Sequence, residues 1–296
     1  MTYLLLSVMI LLYTLQSLLT RQYSDHYPGD PELASPVFTV VSGLTVTVVS
    51  LLLCGLQFEA SALTWIFGIA NGLALVLYNT CIIKASQTGP YSVLMVFSIA
   101  GGIILPTFVG AIAFGDSVSP IKLICIAVVL VSVYLISLKD ERTEQKRGFF
   151  LACSLLALGN GAYGTLLDAQ QRVTTIAQKE EMVAITFFTA TIISAVALLI
   201  RKKKDAVRAM KQTPRSLFYL LSCSLVVAGA IHLLTAMISR MDLALLYTFD
   251  NSGVLLLSVL CSWAFFKEKL SVKNVIGCIM MCVALTCMMG WEWMIG

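Results

Sequence analysis

Runs of about twenty apolar residues, each closed by a turn signal or a charge, recur along the whole 296-residue chain. A hydrocarbon core about 30 Å thick is crossed by a helix of roughly 20 such residues. Cut at that length, the sequence yields ten predicted spans, near 3–20, 36–57, 62–83, 90–114, 120–138, 148–168, 182–200, 217–239, 243–266 and 271–290. With 58% hydrophobic and 12% charged residues, the composition lies outside the range of a water-soluble domain. The chain reads as an all-α integral membrane protein. Its first segment, MTYLLLSVMILLYTLQSLLT, lacks a basic leader and a small-residue cleavage site, so it is expected to be a retained span.

The breaks between spans carry recognisable punctuation: Tyr27-Pro28-Gly29-Asp30-Pro31, Thr88-Gly89-Pro90, and the charged KDERTEQKR segment at 139–147. That segment divides the chain into a first five-helix repeat at 1–138 and a second at 148–296. Sliding the second half onto the first by 152 residues places Phe97 on Phe249, Gly101 on Gly253, Phe114 on Phe266, Asp116 on Glu268 and Ser119 on Ser271. An odd number of spans per half makes the two repeats cross the membrane in opposite senses. This is the inverted-repeat plan of many secondary transporters, whose sites lie near the midplane between the halves.

Ten spans in two five-helix repeats, each with an acidic turn before its last helix, resemble the drug/metabolite transporter superfamily, EamA-like type. The resemblance covers the whole chain and rests on layout more than on any one peptide. It implies that helices three, four, eight and nine, with one and six, surround a central cavity while the fifth and tenth are peripheral. The spans of Asn79, Ser98, His232 and Asp250 would then line that cavity. Relatives often carry a proline in the middle of the fourth and ninth spans, where this chain has Gly101-Gly102 and Ser252-Gly253, with Pro106 slightly later.

Charge bears on orientation and on partners. Of the Lys and Arg residues, sixteen fall on loops after odd-numbered spans and four on the other side. By the positive-inside rule, the Arg201–Lys204 loop is cytoplasmic and both termini are outside, whereas the family resemblance favours both inside. The net charge of +4 is too small and too dispersed for a nucleic-acid partner. Membrane lipid and a small-molecule substrate are the expected partners, with a proton as candidate coupling ion and either a monomer or a homodimer as the assembly. Nine cysteines sit in apolar runs without a CxxC pair or a zinc spacing, so no metal or other cofactor is expected.

Polar residues inside spans should face protein or a hydrated cavity, and their helical spacing shows which face that is. The third span offers Gly68, Asn71, Gly72, Tyr78 and Asn79, and the sixth Asn160, Tyr163 and Gly164. The first offers Tyr13, Gln16 and Ser17, the fourth Ser98, and the ninth Tyr247, Asp250, Asn251 and Ser258. Such stripes serve either as helix-helix glue or as cavity wall. The substrate-binding candidates are Asp250, His232, Asn251, Tyr247, Asn79, Tyr78, Asn71, Ser98, Asn160, Tyr163 and Gln16. Asp250 and His232, each nine residues from a turn near Met241, are also the candidate coupling pair. At Gly101 and Gly253, alanine is expected to be mild and leucine severe.

The functional expectation is a secondary active transporter that moves a small organic metabolite or drug through a central cavity by alternating access. No row of Arg or Lys lies within a span, which disfavours strongly anionic solutes. Neutral or zwitterionic solutes, or lipophilic cations drawn to Asp250, fit better. The rival is an intramembrane enzyme acting on a lipid or prenyl substrate through Asp250 and His232. No GxSxG, HExxH or P-loop motif supports catalysis or ATP-driven pumping.

Overall fold

The computed structural model describes residues 2–55, 58–116, 118–137, 148–174, 178–200, 210–238, 240, 243–267 and 272–295. Side chains at 137, 238, 243–245, 247, 248, 289 and 292–295 lie outside that description, as does the charged linker at 139–147. Among the described residues ten helices follow one another: α1 (Thr2–His26), α2 (Pro31–Leu53), α3 (Ala62–Thr88), α4 (Tyr91–Ala113), α5 (Pro120–Ser137), α6 (Phe149–Val173), α7 (Lys179–Ile200), α8 (Pro214–Ile238), α9 (Leu243–Phe266) and α10 (Val272–Ile295). Eight of them, all except α5 and α10, are long and apolar enough among the described residues to cross a membrane; α5 and α10 contribute shorter apolar stretches, Pro120–Ile136 and Val272–Met288. No strand occurs among the described residues. The chain is an all-α, multi-pass membrane protein.

Helix boundaries follow local chemistry. Asp30 caps α2 by accepting a hydrogen bond from the Glu32 amide at 3.0 Å, with Pro31 in the first turn where no amide is needed. Ser61 caps α3 in the same way, accepting from the Thr64 amide at 3.2 Å. After α4 the chain turns at Gly115, whose φ of +70° suits glycine. Pro106 lies inside α4 without ending it, and α9 is also continuous, so neither helix breaks at the midplane. A proline at 106 still leaves the Gly102 carbonyl without its helical donor.

The packing is organised between the halves. Helix α3 packs on α6 and α7, while α8 packs on α1 and α2. In the same manner α4 contacts α6 and α9 contacts α1, and the pairs α2 with α7, α4 with α9 and α5 with α10 close the bundle. Exchanging α1–α5 with α6–α10 therefore returns nearly the same set of neighbours. Helices α4 and α6 approach closely enough that a methyl group on Gly161 would stand 2.5 Å from the Gly101 carbonyl oxygen. Helices α5 and α10 lie against each other and against α4 and α9.

Candidate functional site

A cavity of about 150 Å³ opens among α1, α2, α3, α4, α6, α7, α8 and α9. Its wall repeats with the offset that aligns the two halves in sequence. Ser98, Ile99 and Gly102 of α4 correspond to Asp250, Asn251 and Val254 of α9, and Leu75 and Asn79 of α3 to Val227 and Ile231 of α8, all 152 positions apart and all lining the cavity. Tyr13, Gln16 and Ser17 on α1 share their spacing with Asn160, Tyr163 and Gly164 on α6. These residues fall near the middle of their helices, which is midplane depth for a span.

The backbone plan is shared but the chemistry has diverged. Helix α8 presents Val227, Ile231 and Leu234, whereas α3 presents Tyr78 and Asn79 at related positions. One wall is thus aliphatic and the opposite one polar. Asn160 donates from Nδ2 to the Ser98 carbonyl at 2.8 Å, and the same nitrogen lies against Gly102, fixing α6 on α4. Asn79 donates to the Thr39 hydroxyl at 3.2 Å, fixing α3 against α2. Asp250 Oδ1 is buried and accepts no hydrogen bond among the described residues. No Lys, Arg or His occurs among the described lining residues. Tyr13, Phe38, Tyr78, Tyr163 and Phe187 add aromatic faces.

Of the residues singled out in the sequence, Gln16, Tyr78, Asn79, Ser98, Asn160, Tyr163, Asp250 and Asn251 come together around this space. The side chain of Tyr247 lies outside the described residues. Asn71 is 1% exposed and does not line the cavity; it sits one turn beyond Leu75.

His232 is a correction. It is not beside Asp250: its Nδ1 lies 2.6 Å from the Glu180 carboxylate on α7, and its Nε2 is 3.2 Å from the Ser50 hydroxyl on α2. The reason is rotation. Val227, Ile231 and Leu234 carry the cavity face of α8, and a residue next to Ile231 is turned about 100° from it. The acid-base pair on which an intramembrane enzyme reading rested is thus not assembled.

Sequence reasoning also passed over Tyr91. Its hydroxyl contacts Ser17 of α1 and reaches Ser258 of α9 at 3.4 Å, tying three helices together just outside the cavity. The stripe containing Ser17 and Ser258 was visible, but its partner lay at the start of another helix, where a tyrosine reads as an interfacial residue.

Residues 148–290 match the model of the EamA-like transporter family. Over that second half the match agrees with the resemblance drawn from the sequence, in keeping with the drug/metabolite transporter superfamily. A crystal structure described only as that of a protein aligns over 98% of this chain and 98% of that chain, with a TM-score of 0.66 and 17% identity. At that identity the likeness shows the fold alone. No curated protein matches the chain.

Proposed function

We propose that this membrane protein, whose second half matches the EamA-like transporter family, is a secondary transporter that carries a compact organic amine through the central cavity. Residues 1–138 and 148–296 form two inverted repeats that rock about the site, exposing it to each side of the membrane in turn. Asp250 binds the cationic group of the solute or, in its absence, a proton.

The observation that carries this reading is the unpartnered Asp250 Oδ1 in the wall of a cavity whose described lining has no Lys, Arg or His. An intramembrane carboxylate without an internal counter-ion is costly unless a ligand or proton completes it. The Gly102 carbonyl, left without a helical donor by Pro106, is a further acceptor in the cavity wall, and the aromatic faces suit a cation. A volume of about 150 Å³ lies below the roughly 300–1,000 Å³ usual for sites of drug-sized ligands, which favours a small solute.

Paired probes test the reading. Phenethylamine and 3-phenylpropionate share an aromatic body and carry opposite charges. The amine should raise the melting temperature of the purified protein in proportion to saturation, the acid should not, and Asp250→Asn should abolish the amine's effect. Equal stabilisation by both probes, or a full response in the variant, would remove Asp250 from the site. Coupling is tested in liposomes, where Asp250→Asn should end proton-driven amine uptake.

A further inference from the structure

Two arginines, one from each half of the chain, sit at opposite ends of α4. Arg21 of α1 donates to the Gly89 carbonyl at 2.8 Å, just before α4 begins. Arg172 of α6 meets Asp116 at 2.8 Å, just after α4 ends. Twenty-three helical residues separate the two places, about 35 Å at 1.5 Å per residue.

The surroundings of the two arginines are built alike. Arg21 pairs with Asp25 one turn along its helix at 3.0 Å, and its guanidinium lies over the ring of Phe266, 5.6 Å from the centroid. Arg172 pairs with Asp168 one turn back at 2.8 Å and lies over Phe114, 5.0 Å from the centroid. Phe114 and Phe266 are the residues that the 152-residue offset superposes. The cavity residues of α1 and α6 align at an offset of 147, which sets Arg21 on Asp168 and Asp25 on Arg172. Each helix has the pair, in reversed order. Both arginines also reach across the repeat boundary, Arg21 from the first half to Phe266 of the second, and Arg172 from the second half to Phe114 and Asp116 of the first.

We infer that Arg21 with Phe266, and Arg172 with Phe114 and Asp116, are the two gate latches of the transport cycle, each released when the cavity opens to its own face. The inference rests on the alternating-access reading above. A cation over an aromatic ring, backed by an acid on the same helix, is strong enough to hold two helix ends together and weak enough to break on each turnover. The partial exposure of these side chains, 17% for Arg21 and 36% for Arg172, lets water take over the guanidinium when the ring withdraws. Neither arginine lines the cavity, so they act as positioning residues.

The test reads the cavity rather than the latch. In the full chain, Val227→Cys puts a thiol on the cavity wall, and its labelling by a membrane-impermeant maleimide is followed in right-side-out and inside-out vesicles by site-resolved mass spectrometry. The native cysteines serve as internal references. Labelling of the otherwise unaltered carrier from both sides establishes alternating access; labelling from one side only would overturn the transport reading itself. Adding Arg21→Ala should raise the rate from the Arg21 face by about two- to fivefold and lower it from the other, and Arg172→Ala should do the reverse. Phe266→Leu and Phe114→Leu, which remove the ring and keep the three ion pairs, should act in the same directions and stand in if an arginine variant fails to fold. Equal changes from both faces, or none, in a carrier that still labels from both sides would overturn the latch assignment and leave the transport reading intact.

Discussion

His232 Nδ1 lies 2.6 Å from Glu180 Oε2, joining the end of α8 to the first turn of α7. Thr235, one turn further along α8, donates to the other carboxylate oxygen of Glu180 at 3.1 Å, and Ser50 of α2 meets the far imidazole nitrogen. This is a three-helix clasp outside the cavity. His232→Gln should lower the melting temperature by a few degrees, corresponding to about 1 kcal/mol for a partly exposed charge-assisted bond. The stabilisation produced by phenethylamine should persist in that variant, measured by the same melting curve. Loss of the amine response at unchanged stability would return His232 to the binding site.

Asn71 makes the opposite case. Both polar atoms of its side chain are buried without a hydrogen-bond partner among the described residues, and it does not line the cavity. An unsatisfied amide is a standing cost, and an apolar group of similar size removes it. Asn71→Leu is expected to raise stability by about 1 kcal/mol while leaving amine binding unchanged, as measured by thermal melting with and without phenethylamine. A binding defect in a well-folded Asn71→Leu protein would show that the amide reaches the solute.

The contrast between these residues shows what a sequence of this kind discloses. Hydropathy placed the helices because lipid imposes one length scale on all of them. Asp250, Asn160 and Asn79 were legible because each interrupts an apolar run, which is expensive unless protein or a cavity receives it. Rotation and extent were not. Equal depth put His232 level with Asp250, yet the 152-residue offset sets His232 on Thr80, one position past Asn79 and turned from the cavity toward Ser35. The stripe on α3 kept its face but ran beyond the end of the cavity, carrying Asn71 with it. Contacts such as Arg172 with Asp116, or Arg21 with Phe266, join helix ends far apart in sequence, and no local pattern announces them.

Gly101 and Gly253 occupy matching positions and face different neighbours. A methyl group at Gly101 would collide with the backbone of Ala157 on α6, which cannot move without separating two helices. At Gly253 it would meet the Ile10 side chain at 2.7 Å, and that chain can change rotamer. The expectation of mild effects for alanine at both sites is therefore revised by the structure. Gly101→Ala should cost about 3 kcal/mol through overpacking. Gly253→Ala should be near neutral, because part of the clash is offset by the better helix propensity of alanine. Thermal melts of the two variants compare them directly, and equal losses would contradict the tighter approach of α4 to α6.

Orientation supplies the last prediction. The face that holds Arg21 and Lys84 also receives, by helix alternation, the loop beginning Arg201-Lys202-Lys203-Lys204, and carries sixteen of the twenty Lys and Arg residues. Basic residues beside spans resist transfer across the membrane during insertion, and their count over short loops sets the sense in which the first helices enter. We therefore propose that this face is cytoplasmic and that both termini lie outside, against the arrangement implied by family resemblance. Alkaline phosphatase fused after Gly296 should be active and a fluorescent protein at the same position dark. Neutralising Arg201–Lys204 should shift part of the population toward the opposite sense. A dark phosphatase fusion alongside a bright fluorescent one would place the C-terminus in the cytoplasm and assign the Arg172 latch, rather than the Arg21 latch, to the cytoplasmic gate.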